Sequence, residues 1–333
     1  MEASAIQSLV SMGAIASPDQ LETPNSEKGD TPLIKAAREA NLQQMQLLLA
    51  AKANLSAKNF AGASALFVAC QSGHAQVCQF LIKAGSAVDD LTHARASPTF
   101  IAAQKGHVDC LKLLISANAN VNNSAQVGAI ASADSCPPSP LGSEGPSPLG
   151  TSGRALSTEG GMGADGTYVM PSKSGVSPTF IASQEGNLEA LNLLIEAKAH
   201  IDVPTNGGVT PVCIAAAEGH VSCLQSLINA SANVNTVTTG GVTPVFIASQ
   251  KGQVDTLRML INHAANCNTP TNDGSTAIFI AAHEGHIECV KELLEGGANI
   301  TIKFKGKSPK RVAKERGHTK VADLIRQWAK KPP

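Results

Sequence analysis

A seven-residue phrase recurs along this chain at a fixed spacing, and that period limits the fold more than any other feature. It reads TPLIKAA from Thr31, SALFVAC from Ser64, SPTFIAA from Ser97, SPTFIAS from Ser177, TPVCIAA from Thr210, TPVFIAS from Thr243, TAIFIAA from Thr276 and SPKRVAK from Ser308. Successive steps are 33, 33, 80, 33, 33, 33 and 32 residues, so the long step is one period plus an insertion of 47.

Each phrase carries the chemistry of a helix start. A Ser or Thr hydroxyl can accept from the free amides of a first turn, and Pro suits the first helical position. Nine residues after the Ser or Thr comes Gly73, Gly106, Gly186, Gly219, Gly252, Gly285 or Gly317, with Ala40 in the first unit. Glycine there predicts a left-handed helix end. A second helix is predicted to follow, with apolar stripes such as Leu188, Leu191, Leu194 and Ile195, or Val221, Leu224, Leu227 and Ile228. Polar turns such as TNGG and TNDG then predict short linking hairpins. A single helix pair cannot cover its own stripe, so each must stack on the next copy, and the core runs lengthwise. With aromatics at only 3%, that core is made of small and aliphatic side chains.

The eightfold signature resembles the ankyrin family, whose unit has a turn, two antiparallel helices and a TPLHxAAxxGH pattern. The resemblance implies an all-α repeat solenoid of helix-turn-helix units linked by short β-hairpins. The expected divisions are an N-terminal segment 1–28 containing a partial helical cap at 5–15, repeats one to three in 29–123, an insertion at 124–173, repeats four to seven in 174–306, a capping repeat at 307–328 and a tail at 329–333. In place of the family's His stand Ile34, Phe67, Phe100, Phe180, Cys213, Phe246 and Phe279, a column expected to be buried. The last unit puts Arg311, Thr319, Ala322 and Arg326 in columns that are apolar elsewhere, as suits a cap facing water.

The insertion contains PPSPLGSEGPSPLG among Gly, Ser and Ala, a composition too poor in large apolar groups to order itself. It is expected to be a disordered loop. Lengthening a connection sixfold costs about 1.6 kcal/mol of closure entropy, whereas burying about 400 Å² of apolar face between repeats is worth on the order of 10 kcal/mol before ordering costs. One continuous array with a protease-sensitive finger is the expectation. Ser139 and Ser147, each followed by Pro, are candidate sites of proline-directed phosphorylation.

Catalysis and metal binding find little support. His74, His107, His220, His286 and His318 all follow the repeat glycine, so periodicity explains them as helix-boundary hydrogen-bonding groups. In HEGHIEC, at His283 to Cys289, the histidines are three apart and straddle the helix break, unlike an HExxH zinc face. Cys110, Cys223 and Cys289 share one offset in alternate units, about 20 Å apart at ordinary helix spacing, too far for disulfides. No cofactor is expected. The N-terminus lacks the basic region of a signal peptide and no apolar run approaches about 18 residues, so a cytoplasmic or nuclear monomer with reduced thiols is the expectation.

The resemblance implies a non-catalytic scaffold or adaptor that binds a protein on the concave face, along the paired residues before each helix-ending Gly and the hairpin tips. Carried onto this chain, the candidates are Arg38, Glu39, Gln71, Gln104, Lys105, Gln184, Glu185, Glu218, Gln250, Lys251, His283 and Glu284, with Asn206, Asn272 and Asp273 at the tips. A second reading comes from charge. From Lys303 onward there are eleven basic residues against two acids, while the rest of the chain is net negative. Lys303, Lys305, Lys307, Lys310, Arg311 and Lys314 would then recruit nucleic acid, an acidic partner or an anionic membrane surface.

Overall fold

The computed structural model describes residues 2–24, 26–126, 161–162, 167–169 and 174–330. Helix α1 (Glu2–Ser11) precedes eight helix pairs: α2 (Pro32–Arg38) and α3 (Leu42–Ala50), α4 (Ala65–Ser72) and α5 (Ala75–Lys83), α6 (Pro98–Lys105) and α7 (Val108–Ser116), α8 (Pro178–Glu185) and α9 (Leu188–Glu196), α10 (Pro211–Glu218) and α11 (Val221–Asn229), α12 (Pro244–Lys251) and α13 (Val254–Asn262), α14 (Ala277–Glu284) and α15 (Ile287–Glu295), and α16 (Pro309–Glu315) and α17 (Thr319–Trp328).

The repeated phrase acts as its chemistry requires. The hydroxyls of Thr31, Ser64, Ser97, Ser177, Thr210, Thr243 and Ser308 each accept from the amide three residues on, at 3.1–3.4 Å. Thr276 is the exception: its Oγ1 is buried without a partner. The glycines end the first helices at φ of 70–83°, and Ala40 takes the same hand at 56°, a conformation costing an alanine about 1–2 kcal/mol.

Glycine has a second role at these positions. The residue that follows the next repeat's glycine reaches back across the interface and, from the third repeat on, lies against the glycine of the repeat before. His74 Nε2 meets the carbonyl of Arg38 at 3.0 Å, His107 that of Gln71 at 3.2 Å, His220 that of Gln184 at 2.9 Å and His286 that of Gln250 at 3.1 Å. Asn187 and Gln253 replace histidine in the same task, donating to Gln104 at 2.8 Å and Ala217 at 3.3 Å. A Cβ on Gly73 would sit 2.7 Å from the His107 ring, and one on Gly186 2.7 Å from that of His220. The side-chain staple and the bare glycine are therefore one device: it satisfies an orphan helix-end carbonyl and fixes the spacing of neighbouring repeats.

First helices pack on first helices and second on second, and α6 meets α8 and α7 meets α9 across the insertion. Asn187 donates to both Ala103 and Gln104 on the far side of it. The stack is continuous, with a single main core running from Ala5 to Ile325. Phe67, Phe100, Phe180, Phe246 and Phe279 are all buried. At the N-terminus α1 lies against α3 through buried Ala5 and Leu9.

The linking hairpins are tight. Thr92, Thr205, Thr238 and Thr271 each donate their amide to the carbonyl four residues on, and each hairpin also bonds to the previous one, as in His93 to Ala61 and Asn272 to Gly240. At the insertion this becomes a short antiparallel ladder between β1 (Ala125–Gln126) and β4 (Ser174–Val176), where Ala125 and Val176 are fully buried. Within 124–173 the described residues are 124–126, 161–162 and 167–169: β1 pairs with β4, which begins just beyond this segment at Ser174, and β2 (Gly161–Met162) pairs with β3 (Tyr168–Val169). Ser139 and Ser147 lie outside the described residues.

Phe100→Ala, at a fully buried position, is predicted to lower stability by about 3–5 kcal/mol. Val237→Ala, at a position 54% exposed, should change it by no more than about 0.5 kcal/mol. Urea midpoints of the two variants check both.

Candidate protein-interaction site

Because each first helix starts from a capped Ser or Thr and ends at the same glycine, the residue two before that glycine falls on the same face in every repeat. This produces a column: Arg38, Gln71, Gln104, Gln184, Ala217, Gln250 and His283. Beside it runs a second column in which Glu39, Lys105, Glu185, Glu218 and Lys251 are exposed and Glu284 is half-buried. Asn206, Asn272 and Asp273 are exposed at the hairpin tips, although Asn206 and Asn272 use their amides, and Asn272 also its side chain, to hold the preceding hairpin.

Members of the first column differ in how far they are already engaged. Arg38 makes a two-pronged pair with buried Asp30, through Nε at 2.9 Å and Nη2 at 2.9 Å. Asn59 also donates to Asp30, at 2.8 Å, so this arginine is held in place. His283 is only 6% exposed. Its Nδ1 contacts Glu284 at 2.9 Å and its Nε2 accepts from the Arg316 guanidinium, so it belongs to the end cap more than to an open surface. Gln71 and Gln104 are half-buried.

Gln250 is occupied. Its Oε1 accepts from the amide of Tyr168 at 3.0 Å and its Nε2 donates to the carbonyl of the same residue at 3.1 Å. Tyr168, the only tyrosine in the chain, packs with Ala217, Val242, Phe246, Ile247 and Ile280 and is 5% exposed. Gly240 leaves room for the ring edge, since a Cβ there would stand 3.3 Å from Cε2. Burial pushes the phenol above its ordinary range, so the pocket holds a neutral ring. Periodicity could not reveal this contact, because Tyr168 belongs to no repeat. The available signal was a lone aromatic in a stretch of Gly, Ser and Ala.

The basic cluster is partly self-neutralised. Lys307 at 2.6 Å and Arg311 at 2.9 Å both engage Glu315, whose carboxyl they draw below the usual range. Lys303, Lys305, Lys310 and Lys314 are exposed, and Lys305 lies 5.0 Å over the Phe304 ring. Phe279, His283, Phe304, Lys305 and Arg316 help line a cavity of about 200 Å³ at this end.

A further cluster comes from adjacent columns rather than one. Cys70 and Cys78 lie 3.6 Å apart, sulfur to sulfur, and Cys78 is 3.5 Å from Cys110. Column spacing separates Cys110 from Cys223 and Cys289, but gave no warning of this trio. Hydrogen bonding to Cys110 raises Cys70 well above its ordinary value and lifts Cys78 to about 12. Burial raises Cys213 and Cys267 and lifts Cys223 to about 11, and burial together with the charges of Glu292 and Glu288 lifts Cys289 to about 12.

Taken together, the architecture is a stapled helix-pair solenoid that repeats one column of mostly polar side chains along its first helices. The family model for ankyrin repeats (three copies) matches residues 2–93, 33–125, 179–271, 212–304 and 264–331, and the chain belongs to the ankyrin-repeat family. Its fold is similar to the crystal structure of the human ASB11 ankyrin repeat domain. The TM-score is 0.60 at 22% sequence identity, with 81% of this chain and 100% of that one covered. No curated protein sequence matches the chain. Ankyrin repeats are generally protein–protein interaction modules, and the fold is typically a non-catalytic scaffold. Among the described residues, no helix is long and apolar enough to cross a membrane.

Raised thiol pKa values lower the thiolate fraction, and only the thiolate is alkylated. Iodoacetamide at pH 8 should therefore leave Cys78, Cys223 and Cys289 unmodified in the folded protein and modify them on denaturation. Peptide mass mapping showing rapid native labelling of these three would contradict the burial.

Proposed function

We propose that the chain is a non-catalytic adaptor that binds an extended protein segment along the concave face formed by its first helices. The observation that carries this reading is the grip of Gln250 on the main chain of Tyr168. A side-chain amide at this column offers a donor and an acceptor at once, which matches one residue of extended backbone. The same column carries Gln71, Gln104 and Gln184 in three consecutive repeats. Repeats stack at about 8–10 Å, roughly three residues of extended chain at about 3.3 Å each, so successive glutamines suit one continuous segment. The surface is rigid, because a side-chain staple ties the first helix of each of repeats one to six to the repeat that follows, and little ordering is needed on binding. Charged neighbours Lys105, Glu185, Glu218 and Lys251 would then set specificity and Asn206, Asn272 and Asp273 would flank the segment.

Recruitment through Lys303, Lys305, Lys310 and Lys314 is the competing reading, and the two separate on salt and mutation. Partner captured from cell extract should fall at least about tenfold with Gln71→Ala, Gln104→Ala and Gln184→Ala combined, and change little between 100 and 300 mM salt at about these concentrations. Replacing the four exposed lysines with alanine should leave it intact. Loss on lysine replacement, with steep salt dependence and no effect of the glutamines, would move the function to the basic end.

A further inference from the structure

The Tyr168 contact is the one place in the described structure where the candidate surface holds a ligand, and the ligand is part of the same chain. Its chemistry defines what the site accepts. The backbone of residue 168 is read twice by Gln250, at 3.0 and 3.1 Å. The side chain fills a pocket of aliphatic and aromatic carbon between α10, α12 and α14, built from Ala217, Val242, Phe246, Ile247 and Ile280. Gln250's counterpart in the preceding repeat is special as well. Where repeats two to four have glutamine in the column, repeat five has Ala217, and this small side chain opens the floor on which the ring lies. At Gly240 the hairpin adds a wall that carries no Cβ to intrude on the ring. Neither substitution is demanded by the repeat, since other units fold with glutamine at the first position and other residues at the second.

We propose that this groove is a recognition site for an extended peptide segment bearing an aromatic ring, and that residues 167–169 are its tethered occupant, which a partner's segment of the same chemistry must displace. The proposal rests on the protein-binding reading above and narrows it to repeats five to seven and to one class of partner. Two features suit an occupant that comes and goes. It belongs to the same chain, and covalent attachment supplies an effective concentration in about the millimolar range, enough to occupy a modest site without locking it. Its buried contacts belong to a separate apolar cluster from the main core, so releasing Tyr168 leaves the lengthwise core of the stack covered. Occupancy in cis therefore acts as a threshold: a partner's apparent affinity falls by the fraction of time the groove stands empty.

The test uses the full chain and a fluorescein-labelled synthetic peptide of its own residues 164–173, ADGTYVMPSK. Fluorescence anisotropy should show the peptide binding Tyr168→Ala at least about tenfold more tightly than the wild type. Adding Gln250→Ala to Tyr168→Ala should abolish that gain, as should replacing the peptide's tyrosine with alanine, while a phenylalanine peptide should still bind. Thermal melts within a few degrees of wild type establish that the variants remain folded, and Lys112→Ala on a second helix, an exposed ion-pair position, gives the background for a neutral change. Equal peptide binding to wild type and Tyr168→Ala, or binding that survives Gln250→Ala, overturns the proposal. Failure here is separable from failure of the adaptor reading. If the peptide does not bind but partner capture still depends on Gln71, Gln104 and Gln184, the groove assignment alone falls. If the peptide binds as expected but capture ignores those glutamines, the groove stands and the wider surface falls.

Discussion

The fold depends on a contact that each repeat makes with the one before it. A helix pair of this size exposes an apolar stripe and a set of unpaired helix-end carbonyls, and it can hide neither alone. Stacking hides the stripe. The staple from His74, His107, Asn187, His220, Gln253 or His286 satisfies a carbonyl of the neighbouring first helix, and all but His74 lie on a glycine kept bare for them. Spacing, handedness of the helix end and hydrogen-bond satisfaction are thus solved by the same two residues. Because the staple is made across the insertion by Asn187, the 47 additional residues change the connection and not the stack.

Much of this is legible in sequence because it repeats. Ser or Thr followed three residues later by a buried amide, glycine nine residues on, and a polar side chain after the glycine are positional requirements that eight copies must each meet. Where one copy departs, the structure shows the consequence: Ala40 accepts a left-handed backbone, and Thr276 leaves its hydroxyl unpaired. Histidines that look like chemistry in isolation resolve into structure once their register is seen. His283 fits neither group, since it sits in the binding column by register but is buried against Arg316 by the end cap.

Features that do not repeat were beyond the reach of register. The Cys70, Cys78 and Cys110 trio arises where three different columns meet, and comparison within a column cannot find it. Docking of Tyr168 depends on complementarity between a segment of the insertion and a groove 82 residues away at Gln250. Composition describes the insertion well as a whole, yet one ring and one main-chain unit within it find a partner that composition cannot see. The two local departures that make room for the ring, alanine at 217 and glycine at 240, are ordinary residues until the occupant is in place.

Continuity of the stapled stack is most directly tested by native-state hydrogen exchange across a range of subdenaturing urea. If neighbouring repeats stabilise one another through the insertion, the slowest amides of α6, α8 and α10 exchange through a single common opening with the same free energy and the same urea dependence, while α1 and α17 open earlier. Separate openings for the segments before 126 and after 174, each with its own free energy and its own smaller urea dependence, would show that the two blocks stand alone and would contradict the central role given to the staple.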